Sequence, residues 1–212
     1  MGDLNFDGIE VMESENKKGL ILKYSYLKSV ENKSDRFHEE EWIVSPEYSN
    51  ITMSNPYYMF VKDDNYQIGY FSGTENFTGI ENVKLKYLYE GQGREVNISK
   101  VIDYHFSKLY TNSICGFNAG SKYGLVDFTG LVMKPIYDGI AFISQEYLNS
   151  ELSIIITKKN KRYMAYTYNT SRKIEKIGLF STNYSSVKKK VLKKTGINLS
   201  EDIRESDIIG KL

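Results

Sequence analysis

Short apolar runs, each closed within a few residues by Gly, Pro, Asn or Asp, fill the first 183 positions of the chain. "KYGLVDFTGLVMKPIYDGIAFIS" at Lys122–Ser144 shows the pattern most clearly. "YGLVD" and "LVMKP" are β-prone runs joined by Phe128-Thr129-Gly130, where Gly supplies the positive φ of a tight hairpin. Pro135 has no N–H to give a ladder and is predicted to end the second strand. Tyr137-Asp138-Gly139 then turns the chain into "IAFIS", a third strand. A piece of this size cannot bury its apolar face alone, so stacked neighbours complete the core. From Tyr184 the period changes. Tyr184, Val187, Val191 and Leu192 fall near one helical stripe, ringed by Lys188, Lys189, Lys190, Lys193 and Lys194, and Gly196 is placed to stop the helix. Ser200 is positioned to cap a second short helix holding Ile203 and Ile208, with Glu201 and Asp202 suited to its first turn.

The hairpin piece recurs along the chain. "YDGIAF" starting at Tyr137 has a near copy in "FDGIEV" at Phe6 and a looser one in "YSNITM" at Tyr48. "WIVSPEYSNI" lines up with "LVMKPIYDGI", both prolines (Pro46 and Pro135) included. "KKGLIL" at Lys17–Leu22 aligns with "KYGLVD", and "YQIGYF" and "KRYMAY" are weaker versions of it. The pattern predicts an all-β array of about four short antiparallel hairpin or meander repeats over 1–183, with a short helical C-terminal segment, 184–212, docked on it. The unit between Asn82 and Leu109 is degenerate.

"KYGLVDFTGLVMKPIYDGI" resembles the bacterial WG (KWG) repeat, whose pattern is Lys-Trp-Gly-Leu-hydrophobic-Asp, a turn with Gly, then Pro-x-Tyr-Asp. Tyr123 stands where Trp is usual. The match is dense over these nineteen residues, partial over Lys17–Ile51 and weak elsewhere. The resemblance implies a bacterial β-repeat used for protein contact, with no shared catalytic residues.

Composition leans the same way. There are 18 Tyr and 10 Phe against one Trp, and Tyr suits half-buried pleated surfaces where its ring packs and its hydroxyl stays wet. Lys and Arg number 28 and Asp and Glu 27. A formal net charge of +1 sets up no global field for a polyanion, and no nucleic-acid partner is expected. The lysines of 188–194 read as a solvated helix face. One cysteine, Cys115, excludes an intramolecular disulfide and a cysteine-based metal cluster. No apolar run reaches the roughly 18 residues of a membrane helix, and neither a signal peptide nor the myristoylation pattern is present. The expected location is cytoplasmic, the alternative being export with any signal segment outside these residues.

Motifs that carry chemistry are scarce. His38 and His105 lack a partner motif, and Cys115 reads as a buried small hydrophobe. "FHEEEW" at Phe37–Trp42 clusters carboxylates, but on a strand these alternate faces and do not converge on a metal, so a solvated loop is the expected role. "KDDN" at Lys62–Asn65 reads as a hairpin turn. No metal, cofactor or catalytic residue is expected.

The repeat is interrupted twice, by apparent insertions at Tyr24–Glu41 and at Gly73–Asn97, and in repeat arrays such insertions map to loops that often bind. They hold the candidate partner-binding residues Arg36, Phe37, Glu39, Glu40 and Glu41, then Tyr87, Tyr89 and Arg94, types enriched at contact hot spots or able to complement charge. The expected function is a non-catalytic bacterial protein-binding module, specifically an immunity protein covering a cognate toxin domain. The alternative is a carbohydrate or cell-wall binding module, in keeping with a Tyr-rich surface. "YGLVDFTGLVM" is similar to choline-binding and clostridial toxin repeats, although those present several Trp or paired Tyr and Trp42 is alone here.

Overall fold

Antiparallel strands make up nearly all the regular structure in the computed structural model, which describes residues 4–30, 33–107, 110–144, 148, 152–169, 171–199 and 208–212. The chain divides into two compact units, Met1–Arg94 and Glu95–Leu212.

The first unit holds two sheets. β1 (Leu4–Ser14), β2 (Lys17–Val30) and β3 (Lys33–Tyr48) form one, in the order β1-β2-β3. β4 (Asn50–Ser54), β5 (Tyr57–Lys62), β6 (Asn65–Ser72) and β7 (Lys84–Gln92) form the other, in chain order. Ile9, Leu20, Leu22, Val44 and Tyr48 from the first sheet pack with Ile51, Phe60, Phe71 and Val83 from the second segment of the unit. Each such fully buried side chain contributes roughly 1.5–3 kcal/mol of transfer free energy. The "KDDN" hairpin turn is present as expected, with Asp63-Asp64 joining β5 to β6.

The second unit repeats the arrangement. β8 (Val96–Ser107), β9 (Tyr110–Ala119), β10 (Lys122–Asp127) and β11 (Gly130–Tyr137) make a four-stranded meander. β12 (Gly139–Ile143), β13 (Leu152–Lys159), β14 (Arg162–Asn169) and β15 (Ile174–Ser181) make another, and β16 (Ile208–Gly210) pairs with the free side of β12. Tyr137, Ile140, Phe142, Ile155, Tyr168 and Ile209 share a core with Ile114, Leu125 and Met133, and Tyr123 packs against it.

The repeat is exact in register where the sequence copies are best. In β2–β3, Lys18 faces Tyr48 and Leu20 faces Val44; in β10–β11, Tyr123 faces Tyr137 and Leu125 faces Met133. Each pair of strands thus shifts register twice, across Gly19 or Gly124 and again just after Leu20 or Leu125. A Cβ on Gly19 would lie 2.5 Å from the Val44 carbonyl oxygen, and one on Gly124 2.8 Å from that of Met133. Neither space admits one. Gly69 in β6 has the same relation to the Lys86 carbonyl, at 2.7 Å, and β14–β15 shifts register between Tyr163 and Ala165.

Several expectations are corrected. Pro135 does not end its strand: β11 runs on to Tyr137 because it is the edge of its sheet, where a missing N–H leaves no ladder bond unmade. Pro46 lies likewise in the edge strand β3. Tyr24–Glu41 is not an inserted loop. β2 and β3 continue as a paired hairpin from Leu22–Glu41 through Leu27–Arg36, so "FHEEEW" is strand. Of the second interruption, Lys84–Gln92 is strand β7.

At the C-terminus, α1 (Tyr184–Thr195) ends as expected at Gly196, whose φ is 75°. Asn183 caps it, its side-chain oxygen accepting from the Ser185 N–H at 2.8 Å. Val187 and Val191 are buried against the last sheet, but Leu192 points to solvent. The expected second helix, residues 200–207, lies outside the described residues. Ile208 belongs to β16 instead, and glycines make room for that strand: a Cβ on Gly116 would meet Ile209.

Candidate functional site

β3 is an edge strand, and eight consecutive residues on it, Asp35 to Trp42, are exposed. Successive strand residues point to opposite faces, so β3 is open on both faces here, whereas in the paired length of β2 Ser25 is buried and Tyr24 packs on Phe77. One face carries Phe37, Glu39 and Glu41, opposite Tyr26, Tyr24 and Leu22. Phe37 stacks on Tyr26 with ring centroids 5.7 Å apart, and the Tyr26 hydroxyl donates to Glu39 at 3.4 Å. Burial, then the nearby carboxylates of Glu41 and Glu39, push the Tyr24 hydroxyl above its usual pKa. The other face carries Arg36, His38, Glu40 and Trp42. There Lys23 bridges Glu10 (2.7 Å) and Glu40 (3.3 Å). Phe37 is 38% exposed and Trp42 46%.

The structure gathers the eight sequence candidates into two groups. Arg36, Phe37, Glu39, Glu40 and Glu41 share the projecting hairpin. Tyr87, Tyr89 and Arg94 sit on or just after β7, with Tyr87 and Arg94 exposed, and each makes contacts within the first unit. Tyr87 is edge-on to Phe60 with its hydroxyl 3.4 Å from that of Tyr48, and Tyr89 packs against Tyr66. Arg94 is ion-paired with Asp64, whose carboxyl it holds below the usual range.

Charge separates between the units, which the whole-chain figure conceals. Met1–Arg94 has 10 Lys or Arg against 16 Asp or Glu, a net of −6; Glu95–Leu212 has 18 against 11, a net of +7. The exposed hairpin therefore belongs to an acidic body.

A second feature of the first unit is a recess of about 230 Å³ lined by Phe6, Ile9, Met53, Pro56, Tyr58 and Phe71, with Asn55 and Thr74 as its polar contributors. Burial raises the Tyr58 pKa. The recess and the exposure of Trp42 are not legible in the sequence, because both depend on which strands become edges.

Two arrangements bear on chemistry. Asp7 stands between Ser25, whose hydroxyl donates to it at 3.2 Å, and the His38 ring nitrogen at 3.5 Å. Activating a serine requires the imidazole between hydroxyl and carboxylate; here the carboxylate is in the middle. Cys115 is fully buried, its thiol pKa raised by burial, the setting of a packing residue rather than a nucleophile. Among the described residues no group of three or more His, Cys, Asp or Glu is arranged to hold a metal ion, and no helix is long and apolar enough to cross a membrane.

No protein-family model matches this chain, and no curated protein matches it.

Proposed function

We propose that this chain is a non-catalytic protein-binding module that uses the β2–β3 hairpin as its contact surface. The carrying observation is the run Asp35–Trp42, exposed on both faces of an edge strand. An uncovered edge with aromatic side chains is a surface a partner covers, and charged residues keep it from pairing indiscriminately. Within this class we propose an immunity protein that covers a basic toxin domain, the acidic unit steering the encounter. The likeness of "KYGLVDFTGLVMKPIYDGI" to WG repeats supports the same class, since those repeats serve protein contact. A cytoplasmic setting belongs to this reading.

The test is site-specific photocrosslinking in the native cell, with a photoreactive residue at position 37. The reading expects one discrete adduct with a basic protein, lost when Glu39, Glu40 and Glu41 are all changed to Lys. No adduct at position 37, or one indifferent to the reversal, contradicts it.

The recess favours a second reading, carbohydrate or cell-wall binding. Its Phe6, Tyr58 and Phe71 rings offer apolar faces and Asn55 a polar group, the mixture small-molecule sites use. Under that reading Tyr58→Ala abolishes glycan binding and the hairpin reversal leaves it untouched.

A further inference from the structure

The basic second unit has an uncommitted surface at the end of β15. Between the pairs Ala165–Ile177 and Tyr163–Ser181 the ladder shifts, and Gly178, Leu179 and Phe180 bulge out of register. Gly178 takes φ 68°, which turns the backbone there. Leu179 is left 76% exposed and Phe180 44%. Cations surround the pair. Lys159, Asn160 and Arg162 line a concavity of about 460 Å³ with Phe180, and among the described residues no carboxylate lines it. Lys176 lies over the Phe180 ring at 5.2 Å. From α1, Lys190 donates to the Leu179 carbonyl at 2.8 Å and Lys194 to that of Lys176 at 3.2 Å. These two lysines blunt the open edge of β15 and still bring their charge. Glu175, the acid on β15, is already paired with Lys173 at 2.8 Å.

We propose that this knuckle is a docking surface for an anionic lipid bilayer, with Leu179 and Phe180 entering the interface and a lipid phosphate seated against Lys159 and Arg162. A protruding apolar pair ringed by cations combines the two terms that hold peripheral proteins to membranes, apolar burial and attraction to anionic headgroups. A single-stranded nucleic acid would use the cations but gains nothing from Leu179, which has no ring to stack on, and such proteins present several exposed aromatics. The proposal is independent of the protein-binding reading of the first unit.

The test is co-sedimentation of the full chain with vesicles of phosphatidylcholine alone, and of two parts phosphatidylcholine to one part phosphatidylglycerol. The anionic vesicles should bind and the neutral ones should not. Each cation near the surface is worth about fivefold in affinity, so Lys159→Gln with Arg162→Gln should weaken binding roughly twentyfold at low salt. Leu179→Asp should weaken it about tenfold or more, with an unchanged melting temperature because the side chain is exposed. Phe180→Ser is a second variant of the same kind. Three results overturn the proposal: equal binding to both vesicles or to neither; anionic binding indifferent to Leu179 and Phe180; or polyuridylate binding that shows the Lys159 and Arg162 dependence while vesicles stay free.

Discussion

Gly19→Ala puts the repeated bulge to a test whose sign is informative. Gly19 is buried, and its φ is not in the left-handed region, so alanine is torsionally acceptable. Were there room, the substitution would stabilise the fold by about 0.4–1 kcal/mol by restricting the unfolded chain. The structure leaves none. The new methyl would lie 2.5 Å from the Val44 carbonyl oxygen and 2.9 Å from the Pro46 nitrogen, both backbone atoms of β3, and 2.7 Å from Trp42 Cζ3, which belongs to a side chain able to turn aside. Moving a backbone strand to relieve overpacking costs about 1–3 kcal/mol. At the middle of that range the melting temperature of a unit this size falls by roughly 10 °C. Trp42 is the only tryptophan and its ring lies over Gly19, so its fluorescence reports the first unit specifically during urea or thermal unfolding of the full chain. Gly8→Ala is the control. Its Cβ meets nothing within 4 Å, so its cost of about 1–3 kcal/mol is torsional, from a φ of 148° that side chains rarely adopt. A Gly19→Ala protein that melts at or above the parent would refute the bulge.

Three more outcomes are expected. Asp127 is buried, accepts from the Thr129 N–H at 2.8 Å and hydroxyl at 2.6 Å, takes the Tyr168 hydroxyl and faces Arg172 at 3.7 Å; Asp127→Ala should cost about 3–5 kcal/mol in urea unfolding, the usual result of breaking a buried pair, whereas Tyr168→Phe should cost about 1–2. Replacing residues 26–37 by Asn-Gly keeps the Ser25–His38 pairing and closes it with a two-residue turn, so circular dichroism should be unchanged while partner binding is lost; an unfolded product would place the hairpin in the core. The Asp138 carboxyl is held below the usual range, first by Lys122 and then by the Asn160 N–H, so its stabilisation is complete above the ordinary carboxylate pKa of about 3.9 and is lost as pH falls through the lowered folded value; melting curves of the parent and Asp138→Asn should differ at pH 7 and converge in strong acid.

Much of the scaffold was legible because local rules decide it. Glycine spacing, the Lys-x-Gly-Leu copies and the change of period at Tyr184 located the hairpins and α1. What escaped depends on pairing partners that lie far apart in sequence. Whether Pro135 ends a strand turns on whether β11 is an edge, and no residue near Pro135 reports that. Tyr24–Glu41 looked like a loop because an exposed strand lacks the apolar alternation of a half-buried one. Ile208 fits a helical stripe as well as it fits β16, and pairing with β12 decides between them. The eight candidate residues fall into two groups, five on the hairpin and three at β7, with Tyr87 and Arg94 exposed as well, and no local pattern in the sequence shows that grouping. The charge asymmetry was countable from the sequence once the division near Arg94 was known, and total charge hides it.

The hairpin's role is tested most directly by association kinetics with the basic protein captured at position 37. In stopped-flow mixing at low salt, reversing Glu39, Glu40 and Glu41 to Lys should slow association by roughly tenfold or more, and the difference should shrink as salt shortens the screening length. Thermal stability should barely change, because these carboxylates are exposed and solvent screens surface pairs such as Lys23–Glu40. Association that ignores both the reversal and the salt would contradict the account and leave the aromatic recess as the binding site.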